Sequence, residues 1–318
     1  MLYYTFYTPN YYPGTSPKKF EIRNGESLNE ISDSLRSEGI IPSAFYFTVG
    51  AFIYGAEKNI RAGRYYIPNG LSYLGLVEFL LHTKADYAEI VTIPDGSTVA
   101  YIAAKVKYDL LIDSASFVQK THNKNFIDSI GLHVSSLEGY LFPGRYNIYQ
   151  KSSPSEIIGI FYNHFKKFMS DSLRRRALSL GYPVHKILTL ASIVEGETNK
   201  NEEMPVIASV YFNRLKKGIR LEADPTVQYL QPNGWKRLRY KDLKIKSPYN
   251  TYIFKGLPPG PINNPGKEAI LAVLYPADTD YLYFVADGKG GHKFSRSYSQ
   301  HLKFVNQYRK WLKEQQKK

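Results

Sequence analysis

Residues 184–198 read VHKILTLASIVEGET, and this run predicts the helix around which the rest of the chain is organised. Pro183 suits the start of a helix and Gly196 suits its end. Apolar and small residues recur at helical spacing, and Glu195 lies one heptad beyond Leu188 on the same stripe. Burial there would raise the pKa of the carboxyl group and favour the protonated form that a general acid needs. A solvated charge at a helix end is the alternative that this stretch leaves open.

The composition is ordinary for a globular protein and leaves room for two domains. The chain has 318 residues, of which 43% are hydrophobic and 22% are charged. Its formal net charge of +14 fits a nucleic acid, an anionic membrane surface or an acidic cell-wall polymer as partner. The sequence contains no zinc-finger spacing, RNP-like segment or arginine-rich helix. We therefore expect no nucleic-acid partner, and the scattered basic residues are more simply a solvated surface.

Metal and thiol chemistry find no support in the sequence. The chain has no cysteine, which excludes thiolate ligands, disulfides and cysteine nucleophiles. Its histidines form no HExxH motif and no HxxxH pair, and neither a GxSxG elbow nor a P-loop is present. We expect neither a metal nor a cofactor, so carboxyl groups are the remaining source of acid–base chemistry.

An internal repeat precedes the 184–198 helix. Three segments, beginning at Phe20, Tyr65 and Ile90, each read as a strand, a tight Asn-Gly or Asp-Gly turn, a Ser or Thr cap and an amphipathic helix. The first segment has a complete capping-box pattern from Ser27 to Glu30. These units loosely resemble LysM-type modules, which bind amino-sugar chains with a strand–helix–helix–strand unit. A structural module that only positions the next domain is the alternative.

These features predict an α+β protein in three parts. Residues 1–17 form an N-terminal tail, 18–88 a small LysM-like α+β module, and 89–318 a mixed, helix-rich catalytic domain that begins with the third repeat. The tail starts with LYYTFY, and no stretch of the chain has the ~20 apolar residues that span a bilayer. Since tyrosine favours the membrane interface, the tail is either the remnant of a membrane-anchor junction or a flexible aromatic segment.

A second carboxylate for Glu195 cannot be identified from spacing alone. Glycosidases usually pair their acid with another carboxylate, and Glu138, Glu197 and Asp224 are the candidates. Glu197 lies two residues from Glu195, so a continuous helix would direct it to the other side. Asp224 precedes Pro225 and is equally suited to bracing a turn.

Seven motifs follow one another along the chain. They are EGYLFP at 138–143, LASIVEGET at 190–198, ASVYFNRL at 208–215, LEADPTV at 221–227, SPYNTY at 247–252, GLPPGPI at 256–262, and HKFS at 292–295 with YSQH at 298–301. Together they closely resemble the endolytic murein transglycosylase, or YceG-like, family over about Phe20 to Lys310. Each motif alone would be weak, whereas the ordered set is specific.

The resemblance implies a lytic transglycosylase. Such enzymes cleave the MurNAc–GlcNAc β-1,4 bond within nascent peptidoglycan strands without water, leave 1,6-anhydro-MurNAc ends and so limit strand length. The first glutamate of the IVEGET segment is the family's catalytic residue, which is Glu195 here. It would protonate the glycosidic oxygen and then take the proton of the sugar's own 6-hydroxyl, so no second catalytic carboxylate is required. Nine further residues become candidates for binding the glycan: Asn213, Arg214, Asp224, Thr226, Tyr249, Asn250, Thr251, Glu138 and Tyr140.

The resemblance also implies a cellular setting. Family members lie on the periplasmic face of the cytoplasmic membrane, held by one N-terminal transmembrane helix that this chain lacks, and peptidoglycan synthases are possible partners. Peptidoglycan strands are the expected substrate. One departure concerns the turn after Pro143, where the family's usual Asp-Thr-Tyr is replaced by Gly144-Arg145-Tyr146. The role of this loop is therefore left open.

Two other functions remain as alternatives. A hydrolytic muramidase would use water in place of the 6-hydroxyl, and its product would be heavier by one water. A non-catalytic peptidoglycan-binding scaffold would not depend on Glu195 for any activity.

Overall fold

The computed structural model describes residues 2–231 and 238–315 and confirms the predicted α+β class. Helices predominate in this part of the chain, and the strands form the two-stranded sheets β1–β2, β3–β4 and β5–β6. The chain divides into two compact units. Compactness alone does not identify a domain, so the predicted boundary between residues 88 and 89 stays a prediction.

The first unit comprises Met1–Ile90 together with Asp109–Leu111 and Tyr146–Ser152. Its elements are α1 (Leu2–Tyr7), β1 (Lys18–Ile22), α2 (Leu28–Ser37), α3 (Ala44–Ile53), β2 (Gly63–Ile67), α4 (Tyr73–His82) and the start of β3 (Ala88–Ile93). β1 pairs with β2 in antiparallel register, which places Phe20 opposite Tyr65, and both rings are buried. The order β1–α2–α3–β2 is strand–helix–helix–strand. Whether this unit is LysM-like in binding sugar stays a prediction.

The predicted capping box starts α2. The Ser27 hydroxyl accepts a hydrogen bond from the Glu30 backbone N–H at 3.3 Å, and the Glu30 carboxylate accepts one from the Ser27 backbone N–H at 2.7 Å. The sequence analysis did not predict α3, which runs AFYFTVGAFI. Since nearly every position of α3 is apolar, its sequence lacks the polar–apolar period by which an amphipathic helix is identified.

Residues 10–12 of the N-terminal tail are part of the first unit. Tyr12 is buried, and its hydroxyl donates to the Ile67 carbonyl at 2.6 Å. The backbone N–H of Asn10 donates to the Leu71 carbonyl at 2.9 Å. This part of the tail is therefore packed against the unit and is not a flexible aromatic segment. Its relation to a membrane anchor stays a prediction.

The second unit comprises Val91–Tyr108, Ile112–Arg145 and Ser153–Lys318. Its elements are α5 (Val99–Leu110), α6 (Ser114–Thr121), α7 (Lys124–Ser129), β4 (Gly144–Tyr149, shared with the first unit), α8 (Pro154–Phe168), α9 (Asp171–Ser179), α10 (Val184–Glu197), α11 (Met204–Lys216), α12 (Asp224–Gln228), α13 (Lys267–Leu274), β5 (Tyr283–Ala286), β6 (His292–Ser295) and α14 (Tyr298–Gln315). The predicted third repeat is present as β3 followed by α5, and β5 and β6 pair as an antiparallel hairpin.

The helix predicted at 184–198 is confirmed as α10 and forms the centre of the second unit. Every residue from Ile187 to Val194 is buried, so α10 is enclosed on all sides and not only along one stripe. It packs against α11 and α13, and their apolar side chains complete one core. Glu195 follows directly after this buried run and is only partly buried. The solvated-charge alternative therefore does not describe its surroundings.

The unexpected Gly144-Arg145 pair begins β4. Gly144 has a φ of +152°, a backbone conformation that favours glycine over residues with a Cβ. An aspartate at this position would be strained. The departure from the family pattern therefore fits the backbone of this chain.

No single helix in residues 2–231 and 238–315 has both the length and the apolar character needed to cross a membrane. Only α9 and α10 taken together meet that test, and they are bent by 86° relative to one another.

We predict that Ser27→Ala lowers the free energy of unfolding by about 1 kcal/mol, because it removes the hydroxyl that accepts from the first turn of α2. Urea unfolding followed by circular dichroism measures the change. Ser43→Ala is the matched control, since Ser43 precedes α3 without a side-chain capping bond. Equal losses in the two variants would show that the cap of α2 contributes nothing specific.

Candidate active site

A cavity of about 600 Å³ opens at the C-terminal end of α10, within the second unit. Segments far apart in the chain form its wall, including the turn before α5, the end of α6 and the loop before α13. Its lining residues are Asp95, Gly96, Thr98, Val99, Ala100, Val118, His122, Glu138, Glu195, Gly196, Asn199, Pro225, Gln228, Tyr229, Gln231, Ile262 and Asn263.

Glu195 is held in this cavity by one backbone hydrogen bond. Its Oε2 accepts from the Gly266 N–H at 2.9 Å. Burial raises the pKa of Glu195 to about 7, the Gly266 N–H opposes that shift, and the negative charge of Asp95 adds to it. Near neutral pH the carboxyl group is thus present in both protonated and ionised forms. A group that must first donate and then accept a proton needs this property.

Two glycines allow Asp95 and Glu195 to approach the same place. A Cβ on Gly266 would lie 2.3 Å from Cγ of Asp95, so any other residue would displace that carboxyl group. Gly96 has a φ of +73°, and a Cβ there would lie 3.3 Å from Cγ of Glu195. Partial burial and the charge of Glu268 raise the pKa of Asp95. From the sequence, Asp95-Gly96 is predicted only as a turn.

Glu138, a predicted glycan-binding residue, lines the same cavity. It is 6% exposed, and its carboxyl group accepts from the Val99 N–H at 2.9 Å and from Asn264 Nδ2 at 2.9 Å. Burial raises the pKa of Glu138 to about 8 despite these donors. Glu138 is therefore mostly protonated at neutral pH.

The fully buried Asn264 joins three segments of the cavity wall. Its Oδ1 accepts from the N–H groups of Gly139 and Leu141 at 2.9 and 2.8 Å. Its Nδ2 donates to the Ser97 carbonyl and to Glu138, both at 2.9 Å. The side chain thus uses all four of its hydrogen-bonding positions. No pattern in the sequence marked Asn264 as a candidate site residue.

Asn263 has an oxygen that the protein does not use. Its Nδ2 donates to the Ser192 carbonyl at 2.8 Å, which fixes the orientation of the amide. Its Oδ1 is buried and has no hydrogen-bond partner in the part of the chain that the structure describes. The Ser192 hydroxyl also accepts from the Ile262 N–H at 3.0 Å. The loop is therefore anchored to α10, and an unused acceptor remains in the cavity wall.

Three of the predicted binding residues are buried inside the fold. Asn250 is fully buried and donates to the carbonyls of Leu243 and Ile245 at 3.0 and 2.8 Å. Thr226 and Thr251 share a hydrogen bond of 2.9 Å between their hydroxyl groups. These contacts hold the loop after α12 in place, and none of the three side chains lines the Glu195 cavity.

Two more predicted residues, both on α11, hold the segment before β5. Asn213 Nδ2 donates to the carbonyls of Thr279 and Tyr281 at 2.8 and 3.0 Å. Arg214 is 8% exposed, and its Nε donates to the Leu282 carbonyl at 2.7 Å. Their hydrogen-bonding groups are engaged within the protein and lie outside the cavity lining.

The last three predicted residues also lie outside the lining. Tyr140 is buried in the core, and its hydroxyl forms a hydrogen bond of 2.9 Å with Nδ1 of His185 on α10. The ring of Tyr249 packs 5.2 Å from that of Tyr229, a cavity residue. Asp224 accepts from the Tyr252 hydroxyl at 2.6 Å, a bracing contact. All nine predicted binding residues are among those that the structure describes, and of the nine only Glu138 lines the Glu195 cavity. A role for the other eight in glycan binding stays a prediction.

Glu197 lies on the other side of α10, as its spacing predicts. It accepts a hydrogen bond from the Tyr211 hydroxyl and lines a separate cavity of about 250 Å³ with Arg214 and Asp224. Burial raises the pKa of Glu197 to about 7. The carboxyl groups that share the cavity with Glu195 are those of Asp95 and Glu138. In residues 2–231 and 238–315 no cluster of three or more His, Asp or Glu residues could hold a metal ion.

Comparisons with known proteins show the family to which this chain is similar. A model of the YceG-like family matches residues 20–307. The chain is 33% identical over 308 residues to the endolytic murein transglycosylase of Bacillus subtilis strain 168, covering 90% of this chain and 83% of that protein. A protein of the same name from Streptococcus pneumoniae strain D39 is 28% identical over 302 residues, and the match spans 53% of its length. The crystal structure of a putative yceG-like protein from Listeria monocytogenes superposes with a TM-score of 0.63 at 31% identity, covering 90% of this chain and 98% of that one.

We predict that Asn264→Ala lowers the free energy of unfolding by about 3 kcal/mol or more, because it leaves several buried partners without a hydrogen bond. Chemical denaturation measures the loss. Asn125→Ala, at an exposed position of α7, is the control and should change the value by less than about 0.5 kcal/mol. Similar values for both variants would contradict a central role for Asn264.

Proposed function

The chain belongs to the YceG-like family, and on this basis we propose that it is an endolytic murein transglycosylase in which Glu195 acts as both acid and base. The observation that carries the assignment of Glu195 is its surroundings. It is a partly buried carboxyl group with a pKa raised to about 7, at the wall of the 600 Å³ cavity. The substrate is the glycan strand of peptidoglycan.

The reaction needs one carboxyl group and no water. Protonated Glu195 donates its proton to the glycosidic oxygen as the bond between that oxygen and C1 of MurNAc breaks, which leaves GlcNAc with a free 4-hydroxyl. The 6-hydroxyl oxygen of the same MurNAc then bonds to C1, and its proton passes to the Glu195 carboxylate. The enzyme is restored, and the product carries a 1,6-anhydro ring.

The contacts of Glu195 suit these two steps. The Gly266 N–H holds Oε2 and stabilises the ionised form, whereas the charge of Asp95 stabilises the protonated form. Because the two effects oppose one another, neither the protonated nor the ionised form of Glu195 is strongly favoured near neutral pH. The hydrogen bond to Oε2 also fixes the carboxyl group so that Oε1 is available to the substrate.

The cavity offers other contacts for a sugar ring. Protonated Glu138 is a neutral neighbour for a sugar, and the amide side chains of Asn199 and Gln228 also line the cavity. Tyr229 provides an aromatic surface for the apolar face of a sugar. These residues replace most of the predicted groove residues as the first candidates for glycan binding.

The muramidase alternative is less well supported by this cavity. Hydrolysis would require a second carboxylate to activate water or to attack C1. Glu138 is a poor candidate, because its pKa of about 8 keeps it protonated at neutral pH. The negative charge of Asp95 raises the pKa of Glu195. We assign Asp95 this electrostatic role and no direct part in breaking the glycosidic bond.

We further propose a setting for the enzyme at the cell wall. The strand–helix–helix–strand order of the first unit supports a LysM-like role in binding glycan. The family resemblance supports the periplasmic face of the cytoplasmic membrane, attachment through a transmembrane helix on the N-terminal side, and synthases as partners. The net charge of +14 is compatible with an anionic wall polymer or membrane surface nearby.

We predict that Glu195→Gln lowers the rate of anhydro-MurNAc formation at least about 100-fold, because the amide can neither donate nor take up the proton. The assay is digestion of un-crosslinked peptidoglycan strands with mass spectrometry of the products. Glu197→Gln, two residues away on the other side of α10, is the matched control and should still give anhydro ends. Reducing ends in place of anhydro ends would identify a hydrolase, and unchanged activity in Glu195→Gln would exclude the proposed role of this residue.

We also predict that Asp95→Asn shifts the pH dependence of the reaction. Removing this negative charge lowers the pKa of Glu195 from about 7. Since the first step requires protonated Glu195, the decline of kcat/KM on the alkaline side should move to lower pH. Asp171→Asn, at the start of α9, is the control and should leave the profile in place. A profile that does not move in Asp95→Asn would contradict the assigned influence of Asp95.

A further inference from the structure

A second cavity of about 490 Å³ lies next to the Glu195 cavity, and His122 lines both. The other residues of its wall are Lys124, Asp128, His133, Val134 and Ser135. All of them belong to α7 and the turns on either side of it, within the second unit. A substituent on a sugar bound beside Glu195 would therefore lie close to this second space.

The orientation of His122 is set by the end of α6. Its Nδ1 lies 3.0 Å from the Val118 carbonyl oxygen, which can only accept, so Nδ1 carries a hydrogen. The Thr121 hydroxyl is 3.1 Å from the same nitrogen. Nε2 is thus the ring nitrogen that remains to contact a ligand between the two cavities.

The second cavity has an unpaired positive charge. Asp128 Oδ1 lies 3.3 Å from Nδ1 of His133, a contact that is an ion pair only when this histidine is protonated. Lys124 is exposed in the first turn of α7, and in the part of the chain that the structure describes it has no ion-pair partner. The ammonium group of Lys120 lies 4.5 Å over the ring of Phe126, on the same pair of short helices. An anionic group would find favourable charge at Lys124.

The linings of the two cavities differ in their polar groups, as the sugar and peptide parts of a peptidoglycan strand do. The Glu195 cavity contains the aromatic ring of Tyr229 and side-chain amides, which suit an uncharged sugar ring. The second cavity has no Phe, Tyr or Trp in its described wall, which carries two imidazoles, one ammonium, one carboxylate and one hydroxyl group beside Val134. A second uncharged sugar would leave Lys124 unused, whereas a peptide carboxylate would pair with it.

We propose that this second cavity is a subsite for the stem peptide carried by the MurNAc beside Glu195, with Lys124 binding a carboxylate of the peptide and His122 Nε2 accepting a hydrogen bond from a peptide N–H. The inference rests on the proposed function and adds a preference for strands whose peptides are intact. Lys124 acts on binding and takes no part in the transfer of protons.

The test is a binding measurement in the inactive Glu195→Gln background, with two substrates that differ only in the peptide. One is an un-crosslinked glycan strand with its stem peptides, and the other is the same strand after an amidase has removed them. We expect Lys124→Glu to raise the Kd for peptide-bearing strands about tenfold or more and the Kd for stripped strands less than twofold. Lys167→Glu, at an exposed position of α8, is the control for a general effect of charge. Calorimetry at one fixed salt concentration provides the values.

The outcomes separate this inference from the proposed function. Equal weakening of both substrates by Lys124→Glu would overturn the peptide subsite and indicate that the cavity holds glycan. An effect of Lys167→Glu as large as that of Lys124→Glu would overturn it too, because only overall charge would then matter. Since binding is measured without turnover, a peptide-dependent loss in Lys124→Glu would support the subsite even if the wild-type chain produced no anhydro ends.

Discussion

The candidate site depends on the buried side chain of Asn264. Its amide connects the turn before α5, the turn at 138–141 and the loop before α13. The first and the last of these segments are more than a hundred residues apart in the chain. The same loop contains Asn263, which is bonded to Ser192 of α10, and Gly266, which donates to Glu195. One short loop therefore fixes both the cavity wall and the orientation of the proposed catalytic carboxyl group.

The site combines carboxyl groups whose surroundings favour the protonated form. Burial raises the pKa of Glu195 to about 7 and that of Glu138 to about 8. In the unfolded chain both groups would ionise near pH 4.5. Between that pH and the folded-state pKa of each group, about 7 for Glu195 and about 8 for Glu138, the folded state binds more protons than the unfolded state. Their contribution to stability is therefore lost as the pH rises through the folded-state pKa. The fold tolerates this because the Gly266 N–H and the donors to Glu138 offset part of the desolvation.

Most residues of the ordered motifs support the site from a distance. Asn213 and Arg214 hold the segment before β5, and Thr226 with Thr251 holds the loop after α12. Such buried hydrogen bonds are costly to disrupt, because each removed partner leaves another polar group unsatisfied. A motif residue can thus be essential to the cavity without touching the glycan. The lining itself includes residues that stood out much less in the sequence, such as Asp95 and Asn263.

The sequence by itself determined the local features of this protein. Helical spacing and capping residues predicted α10 and the capped helix α2, because these patterns depend on neighbours a few residues apart. The ordered motifs identified the family, and through the family resemblance they predicted Glu195 as the catalytic residue. The tertiary structure alone decided that Asp95 and Gly266 meet at Glu195, that Asn264 joins three loops, and that eight of nine predicted binding residues lie outside the cavity. Side-chain burial and hydrogen bonding between segments distant in the chain follow from packing, and no local period in the sequence records them.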